Sequence, residues 1–431
     1  MNVAESAALK LAAFEQGWEE TSETSEADLI LINTCSVRIS AEERVMGRFA
    51  HYAALKKKGL SFTLVVAGCM AERLGEKLRL DIPAIDYVIG TSARSFFPHI
   101  LDAVQKGFKA EETRETPQFA FSSSHLEEGS FRSFIPIMHG CNNFCSYCIV
   151  PYVRGREISR SPNDIANEIH LVAEKGVREI TLLGQNVNSY QWEGAARQTT
   201  NFPALLEHIA NEVQKTPIRW VRFLSSHPKD LSDEAIRVMA AYPCFCRHIH
   251  LCVQHGSNRI LEAMNRRYTR EQYLDLVSRL RSALPGLSLS TDILVGFPGE
   301  TEEDLDATLS LMEEVKFLYA YMYHYNPREG TAAYALPGRV SEEVKRRRLS
   351  RVIALQKRHT AELLKSRIGK EVTVLIEGIS RKNADELISR TERDEMVVVP
   401  GNAGAIGSFA RLTLSSLRGN TFRAQELELI G

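Results

Sequence analysis

Residues 140–162 carry a dense group of cysteines and read GCNNFCSYCIVPYVRGREISRSP. Cys141, Cys145 and Cys148 follow the spacing C-x3-C-x2-C in one loop, in a chain of 431 residues with only eight cysteines. Thiolates are soft ligands, and a structural zinc site normally has four ligands. Three thiolates without a nearby fourth therefore favour an iron–sulfur cluster with one open iron. A zinc site remains the alternative.

Residues 1–105 alternate between helix and strand patterns. The predicted helices are 3–16 and 41–57, and the predicted strands are 29–32, 62–67 and 87–89. Strands separated by helical segments form parallel sheets, so this part is predicted to be a parallel α/β domain. We expect that the strand which should precede the first helix is absent from the chain.

Residues 132–362 repeat the strand–helix pattern. The predicted strands are 134–138, 180–183, 220–224, 249–253, 287–294 and 318–325; the predicted helices are 162–175, 202–214, 231–240, 257–265, 270–284 and 301–315. Six such units are too few for a closed eight-fold barrel and fit a partial (β/α)6 barrel, with active-site groups at the carboxyl ends of its strands. The polar, serine-rich residues 106–131 are predicted to be a linker.

Residues 363–431 change to short alternating runs broken by Gly and Pro, which predict a small β-barrel or sandwich. In it, Arg381, Lys382 and Arg418 are candidates for contacts with RNA phosphates from exposed loops. A charged helix, 341–365, precedes this tail and contains the basic run 345–348. We expect that run to be a solvated face paired with acidic neighbours.

The composition excludes several classes of protein. The chain has 53 basic and 54 acidic residues, so any surface that binds nucleic acid must be a local patch. Eight cysteines are too few for a disulfide scaffold of this length. No apolar run approaches the roughly 18 residues of a membrane span, and the first residues lack a signal pattern. We therefore expect a cytoplasmic protein that is not bound to a membrane.

The cysteine loop resembles the signature of the radical S-adenosylmethionine (SAM) superfamily, C-x3-C-x-aromatic-C, with Tyr147 at the aromatic position. The resemblance implies that Cys141, Cys145 and Cys148 hold a [4Fe–4S] cluster. It also implies that the amino and carboxylate groups of SAM bind the open iron, where one electron splits SAM into methionine and a 5′-deoxyadenosyl radical.

Four residues at predicted strand ends are candidates for SAM binding through the same resemblance. Gly184 and Gln185 follow the strand 180–183, where the superfamily has a loop that contacts the SAM amino group. Gln254 is a candidate for the ribose or carboxylate, and Asp292 begins a segment, DILVGFPGE, that resembles the one packed on the adenine. Each also has a purely structural interpretation as part of a strand-to-helix turn.

Two further segments, LINTCSVR (31–38) and VVAGCMAER (65–73), resemble the methylthiotransferase family together with the cysteine loop. The family order, which is an amino-terminal cluster domain, a radical SAM domain and a TRAM domain, matches essentially the full length. The resemblance implies a second [4Fe–4S] cluster on Cys35, Cys69 and a third cysteine, and we expect that third ligand to be missing from this chain. Taken alone, Cys35 and Cys69 also suit buried apolar positions.

The form CSVR and the tail segments SRKNADEL and SLRGN favour one branch of this family. Its members add a methylthio group to carbon 2 of N(6)-isopentenyladenosine beside the tRNA anticodon, with SAM as methyl donor and radical source. Open alternatives are methylthiolation of threonylcarbamoyl-adenosine or of a ribosomal-protein aspartate. From another class, a zinc-stabilised RNA-binding protein is also open. The branch implies a tRNA anticodon loop as partner, and we expect an electron donor such as flavodoxin or ferredoxin and a monomeric protein. No general acid or base is identified.

Overall fold

A computed structural model describes residues 2–36, 39–91, 93–110, 121, 129–194 and 198–430. The chain forms two compact units. The first comprises the described residues of Met1–Leu126, His139–Phe144 and Cys148–Ile158, and the second those of Glu127–Met138, Cys145–Tyr147 and Ser159–Gly431. The cysteine loop thus contributes to both units. Most of the predicted linker, 111–120 and 122–128, lies outside the described residues.

The first unit contains a parallel sheet with the strand order β1-β2-β3. Its elements are α1 Asn2–Glu15, β1 Leu29–Thr34, α2 Ile39–Lys57, β2 Thr63–Gly68, α3 Cys69–Leu74, α4 Glu76–Asp81, β3 Tyr87–Ile89, α5 Phe97–Gln105 and, after the cysteine loop, α6 Val150–Arg154. In β2, Val65 and Ala67 belong to one apolar core, whereas Leu64 and Val66 belong to another on the opposite face. Burial on both faces is typical of parallel sheets covered by helices, and the predicted α/β arrangement is confirmed.

Up to residue 365, the second unit alternates strands and helices, and six of its strands belong to parallel sheets. Its elements up to residue 365 are β4 Arg132–Pro136, β5 Met138–His139, β6 Ile158–Ser159, α7 Pro162–Glu174, β7 Glu179–Leu183, β8 Gln191–Glu193, β9 Thr199–Asn201, α8 Phe202–Val213, β10 Trp220–Phe223, α9 Asp233–Ala241, β11 His248–His250, α10 Asn258–Ala263, α11 Arg270–Ala283, β12 Ser288–Val295, α12 Glu302–Val315, β13 Tyr319–His324 and α13 Glu342–Lys365.

The six long strands form two parallel groups, β4-β7-β10 and β11-β12-β13. Isolated parallel bridges, Val221 with Phe245 and Ser226 with Leu251, connect the two groups. The predicted partial (β/α)6 barrel is confirmed. β11 is shorter than the predicted strand 249–253, because the Cys252 amide donates to the Ser226 carbonyl and the Val253 amide to the Thr291 hydroxyl.

The tail of the chain forms a seven-stranded, mostly antiparallel sheet, as the alternating pattern predicts. Its strands are β14 Glu371–Ser380, β15 Asn383–Thr391, β16 Met396–Pro400, β17 Phe409–Thr413, β18 Ser416–Arg418, β19 Thr421–Arg423 and β20 Glu428–Ile430, in the order β18-β19-β16-β15-β14-β17-β20. Its core is an apolar cluster that includes Val374, Leu387, Val397 and Phe422.

This tail sheet packs against the amino ends of the barrel strands. The Trp220 ring at the start of β10 meets the Phe409 ring at 4.9 Å between centroids. The Arg222 guanidinium donates to the Thr391 and Glu392 carbonyls, both at 2.9 Å. The Ser288 hydroxyl, at the start of β12, donates to the Arg393 carbonyl at 3.0 Å. Groups at the carboxyl ends of the strands therefore lie at the opposite end of the barrel from the tail.

The basic run at the start of α13 is largely paired within the protein. The Arg348 side chain, which is 5% exposed, bonds to both Glu300 and Glu302, and Arg351 bonds to Glu302 and Asp306. The expected pairing with acidic residues is confirmed, but the expected solvated face is wrong for Lys345 and Arg348, which are buried because they pack against acidic partners within the protein. Among the residues that the structure describes, no helix has both the length and the apolar character needed to cross a membrane.

Candidate active site

Ser146 fixes the middle of the cysteine loop to the end of α10. Its amide donates to the Met264 carbonyl at 3.0 Å, and its hydroxyl donates to the Ala263 carbonyl at 2.7 Å. The last carbonyls of a helix lack partners within the helix, so a neighbouring donor satisfies them. Tyr147 packs beside Ile260 and Met264. These contacts determine the position of Cys145, which is 8% exposed.

A buried arginine follows α10 and bonds to Cys145. Arg266 donates from Nη1 to the Cys145 Sγ at 3.3 Å and from Nη2 to the Cys252 carbonyl at 2.6 Å. Cys252 lies two residues beyond the end of β11. Cys145 is therefore held at the carboxyl end of a barrel strand, where active-site groups are expected. The sequence analysis missed Arg266, because two adjacent arginines give no sign of which one is buried.

In the first unit, the start of the cysteine loop lies close to another part of the backbone. Gly140 has a φ of +80°, and a Cβ there would lie 2.0 Å from the Arg156 carbonyl oxygen. The Cys141 amide donates to the Gly155 carbonyl at 3.2 Å, and the Arg156 guanidinium covers the Phe144 ring at 4.4 Å. Glycine at 140 is thus required for the loop to close.

Cys35 and Cys69 lie at one edge of the sheet in the first unit. Thr34, the last residue of β1, pairs with Gly68, the last residue of β2, so the cysteine after each strand projects from the same edge. The Thr34 hydroxyl donates to the Ala67 carbonyl at 2.6 Å and accepts from the Met70 amide at 3.2 Å. Burial is the main cause that raises the pKa of the Cys69 thiol, and its proximity to Cys35 contributes. The parallel register of β1 and β2 thus places both cysteines at one edge of the sheet, where the ligand sites of parallel sheets are found.

Arg154 connects this cysteine pair to the segment that follows Cys148. Its guanidinium pairs with the Glu5 carboxylate through two contacts, of which Nη2 to Oε2 measures 3.1 Å, and it also bonds to the Cys69 thiol. Ile149, directly after Cys148, packs with Cys69 in one apolar cluster. The first unit therefore brings Cys148 into the neighbourhood of the Cys35–Cys69 pair.

Unpartnered polar groups lie just beyond β7. A Cβ on Gly184 would meet the Met138 side chain at 2.5 Å, so a residue without a side chain suits this position. Among the described residues, the Gln185 Oε1 and both amide atoms of Asn188 are buried without a hydrogen-bond partner. Asn186, by contrast, is used within the protein, because it donates to Asp230 at 2.7 Å. Buried groups without partners are costly, so Gln185 and Asn188 suit a polar ligand.

Gln254 and Asp292 lie side by side beyond β11 and on β12. Gln254 has a φ of +69°, and its amide donates to the Asp292 carbonyl at 2.9 Å. A non-glycine residue in the left-handed region is strained, and such residues concentrate at functional sites. The Asp292 Oδ2 lies 3.4 Å from the His250 Nε2, which also contacts the Cys252 Sγ at 3.1 Å. The sequence analysis singled out neither His250 nor Cys252 as a site residue.

His227 adds a neutral imidazole near the same strand ends. It is 5% exposed, and its Nδ1 accepts from the Lys229 amide at 3.3 Å. Burial is the first cause that lowers the pKa of His227 to about 2, and the nearby charges of Arg266 and Lys229 act in the same direction. The ring therefore carries no charge at neutral pH.

This histidine makes folding stability depend on pH. The unfolded residue takes up a proton near pH 6.5, whereas the folded one does so only near pH 2, so stability falls as the pH drops between these values. The loss reaches about 1.4 kcal/mol per pH unit, or about 2 kcal/mol between pH 6.5 and pH 5. We expect His227→Gln to reduce the dependence of the free energy of unfolding on pH between pH 6.5 and pH 5, as measured by urea unfolding at each pH. His248 is also buried with its pKa lowered to about 4, but it is present in both proteins and contributes equally to both. Equal slopes of the free energy of unfolding against pH in the two proteins would contradict the prediction.

The proposed RNA-binding residues lie at two hairpin turns of the tail sheet. Arg381 and Lys382 form the turn between β14 and β15, and Arg418 ends β18 immediately before the turn to β19. All three are exposed. Their positions are compatible with phosphate contacts, because exposed side chains keep their charge available to a partner.

The donor sets fit the groups that the resemblance implies. In the part of the chain that the structure describes, no cysteine forms a disulfide, so the thiols of the loop can serve as thiolate ligands. The unpartnered Gln185 and Asn188 groups suit the amino and carboxylate ends of SAM. In the first unit, Cys35 and Cys69 offer two thiols side by side.

Comparisons with known proteins agree along the whole chain. Residues 135–312 match the Radical SAM superfamily, 365–425 match the TRAM domain, and 1–90 match Uncharacterized protein family UPF0004. The tRNA-2-methylthio-N(6)-dimethylallyladenosine synthase of Treponema denticola is 50% identical over 438 residues, covering 98% of this chain and 97% of the relative. The Bacteroides thetaiotaomicron protein of the same name is 42% identical over 436 residues, covering 99% and 94%.

A solved structure has a similar fold. The radical S-adenosylmethionine methyltransferase TsrM from Kitasatospora setae, with cobalamin and a [4Fe–4S] cluster bound, superimposes with a TM-score of 0.60 and 16% sequence identity. The match covers 77% of this chain and 74% of that one. At this identity the likeness supports the fold.

Proposed function

This chain belongs to the family of radical SAM enzymes named tRNA-2-methylthio-N(6)-dimethylallyladenosine synthase, and we propose on that premise that it adds a methylthio group to carbon 2 of N(6)-isopentenyladenosine in tRNA. The modified base lies next to the anticodon, in a loop from which a purine can be turned into a pocket without breaking a duplex. The observation that carries the proposal is the C-x3-C-x2-C loop, whose Cys145 is held by Arg266 and Ser146 at the carboxyl end of a barrel strand.

The cysteines divide between two ligand sets. Cys141, Cys145 and Cys148 bind the [4Fe–4S] cluster of the radical SAM family. Cys35 and Cys69 are two ligands of a second, auxiliary [4Fe–4S] cluster. When bound, these groups and SAM supply a low-potential electron, a 5′-deoxyadenosyl radical, a methyl group and the sulfur atom. The close packing of Ile149 on Cys69 supports a position of Cys148 near Cys69 within the first unit.

The chain's own side chains bind and orient the cofactor. Gln185 and Asn188 offer buried hydrogen-bonding groups to the amino and carboxylate ends of SAM, and Gly184 leaves room beside them. Gln254 and Asp292 offer groups for its ribose and adenine, and Tyr147 packs at the base of the loop. The neutral His227 offers hydrogen bonds without adding a charge near Arg266. The cysteine loop and these residues of the barrel thus bind SAM together.

Arg381, Lys382 and Arg418 bind the phosphates of the tRNA. Each phosphate contact releases bound cations, so the affinity falls with salt and each contact contributes about 0.7 to the slope of log K against log salt for single strands. We expect the triple change Arg381→Gln, Lys382→Gln, Arg418→Gln to weaken tRNA binding roughly tenfold and to reduce this slope by about 2.

The control for this prediction is Arg237→Gln, which removes an exposed arginine from α9 of the barrel. It should leave the slope, measured by filter binding between low and moderate salt, unchanged. An unchanged slope in the triple variant would assign the phosphate contacts to other residues.

The remaining partners follow from this chemistry. We propose that the enzyme is a monomer of the cytoplasm and accepts single electrons from a flavodoxin or ferredoxin. We also propose the domain limits 1–105 for the auxiliary-cluster domain, 106–131 for the linker, 132–362 for the radical SAM domain and 363–431 for the TRAM domain. The family matches for the radical SAM and TRAM regions lie within these limits.

The function is tested by anaerobic reconstitution with iron and sulfide, followed by incubation with SAM, a reductant and isopentenylated tRNA. Nucleosides from the digested tRNA are analysed by mass spectrometry, with tRNA that lacks the isopentenyl group as control. We expect 2-methylthio-N(6)-isopentenyladenosine only from the first substrate. Product from threonylcarbamoyl-adenosine or from a ribosomal-protein aspartate instead would reassign the substrate, and a colourless zinc protein without product would reject the enzyme.

A further inference from the structure

The Arg266 guanidinium is buried beside a cluster ligand without a carboxylate partner. Arg266 is 4% exposed, and its guanidinium donates hydrogen bonds to the Cys145 Sγ, to the Cys252 carbonyl and, from Nε at 3.2 Å, to the Tyr268 hydroxyl. Within the described part of the chain, the groups that bond to the guanidinium are Cys145, Cys252 and Tyr268, and none of them is a carboxylate. A buried charge is costly unless an opposite charge compensates it. The protein therefore keeps a positive charge next to Cys145 that its own acidic residues do not neutralise.

Arg154 provides a contrast within the same protein. It too is buried and bonds to a cysteine thiol, that of Cys69. Its charge, however, is neutralised by the buried Glu5 carboxylate through a two-contact ion pair. Two arginines thus contact two cysteines that we assign to different clusters, and only the one at Cys145 keeps its charge uncompensated.

The backbone on both sides of Arg266 is strained. Asn265 has a φ of +56° and Arg267 a φ of +59°, and each lies in the left-handed region. The Arg266 amide itself donates to the Leu261 carbonyl at 2.9 Å. This hydrogen bond ends α10 and directs the Arg266 side chain inward. Non-glycine residues in this region cost free energy, and a protein retains them where they position a functional group.

We propose that Arg266 is a positioning residue that acts through Cys145 to raise the reduction potential of the [4Fe–4S] cluster on the loop. This inference rests on the proposed function only in requiring that cluster. One electron from a reduced flavodoxin- or ferredoxin-type donor converts the core from 2+ to 1+, and with three thiolates the net charge changes from −1 to −2. No bond forms or breaks and no proton moves. A fixed positive charge stabilises the more negative state, so the cluster accepts the electron more readily.

The test is a redox titration followed by electron paramagnetic resonance, in the full chain carrying Cys69→Ala so that the auxiliary site gives no signal. Arg266→Met and Arg266→Gln remove the charge, and Arg266→Lys keeps it. Arg267→Met is the matched control, because Arg267 is the adjacent, exposed arginine. The iron content of each protein is measured to show whether the cluster has assembled. One neutral variant with an assembled cluster, either Arg266→Met or Arg266→Gln, is sufficient for the comparison.

We expect a neutral variant to lower the ratio of reduced to oxidised cluster at least tenfold at a fixed ambient potential, which is a midpoint lowered by about 59 mV for one electron. Arg266→Lys and Arg267→Met should keep most of the original midpoint. An unchanged midpoint in a neutral variant, or an equal decrease in Arg266→Lys, would overturn the proposal. Failure of the proposed function has a different readout, which is the absence of methylthiolated nucleoside from the unaltered protein.

Discussion

Replacing Cys145 with alanine is expected to abolish both 5′-deoxyadenosine formation and methylthio transfer. The change removes one of three thiolates from a loop that Ser146 and Arg266 hold in place, so a bound [4Fe–4S] cluster loses one ligand. Without that cluster no radical is initiated, and both products should fall by about 10³-fold or more. Liquid chromatography of deoxyadenosine and mass spectrometry of tRNA nucleosides measure the two outcomes. Iron content should fall by about four atoms per chain.

The matched control is Cys244→Ala, which removes a half-buried thiol outside the cysteine loop. Cys244 lies between α9 and β11, and its carbonyl accepts from the Val221 amide near the amino end of β10, so it belongs to neither proposed ligand set. This variant should keep its iron and both activities. Deoxyadenosine formation by Cys145→Ala at an undiminished rate would show that the loop is not the radical-generating site.

Replacing Cys69 with alanine is expected to separate the two halves of the reaction. Cys69 lies beside Cys35 at the sheet edge of the first unit, and we assign it to the auxiliary cluster, not to the radical-generating one. SAM cleavage should therefore continue, whereas the methylthio product should decrease by about 10²-fold or more because the sulfur site loses a ligand. The ratio of deoxyadenosine to methylthiolated nucleoside in one reaction is the readout, and Cys35→Ala should change it in the same way.

Ile149→Val controls for the disturbed packing around Cys69. Ile149 contacts Cys69 in the same apolar cluster, and removing one methylene costs about 0.5–1.5 kcal/mol without removing a thiol. This variant should make both products in nearly the original ratio. A Cys69→Ala enzyme that still transfers the methylthio group at full rate would exclude Cys69 as a ligand.

Local patterns account for the part of this structure that the sequence predicted. Apolar periodicity identified β1, β2 and β3, and the parallel register of β1 and β2 follows from the helical segment between them. The cysteine spacing needed no tertiary information, because all three thiols lie in one loop. The positions of Cys35 and Cys69 were predictable for a similar reason, since each directly follows a strand of the same sheet.

The residues that were missed depend on distant contacts. Arg266 and Arg267 are identical in type and adjacent, and only the left-handed turn after α10 determines that Arg266 is buried. Arg154 acquires its role from Glu5, which is 149 positions away in the sequence. His227 looks like an ordinary loop histidine until its burial is known. No periodicity or spacing encodes such pairings, because they arise when separate segments pack together.

The attachment of the tail sheet at the amino ends of the strands has a consequence for substrate choice. β12 has eight residues and so spans about 26 Å between that attachment and its carboxyl end. If the tail sheet binds RNA as proposed, the RNA has to extend over this length before its base reaches the carboxyl ends of the strands. Under the proposed function, the length of the barrel therefore sets the minimum reach of an RNA that is both bound by the tail sheet and modified at the carboxyl ends of the strands.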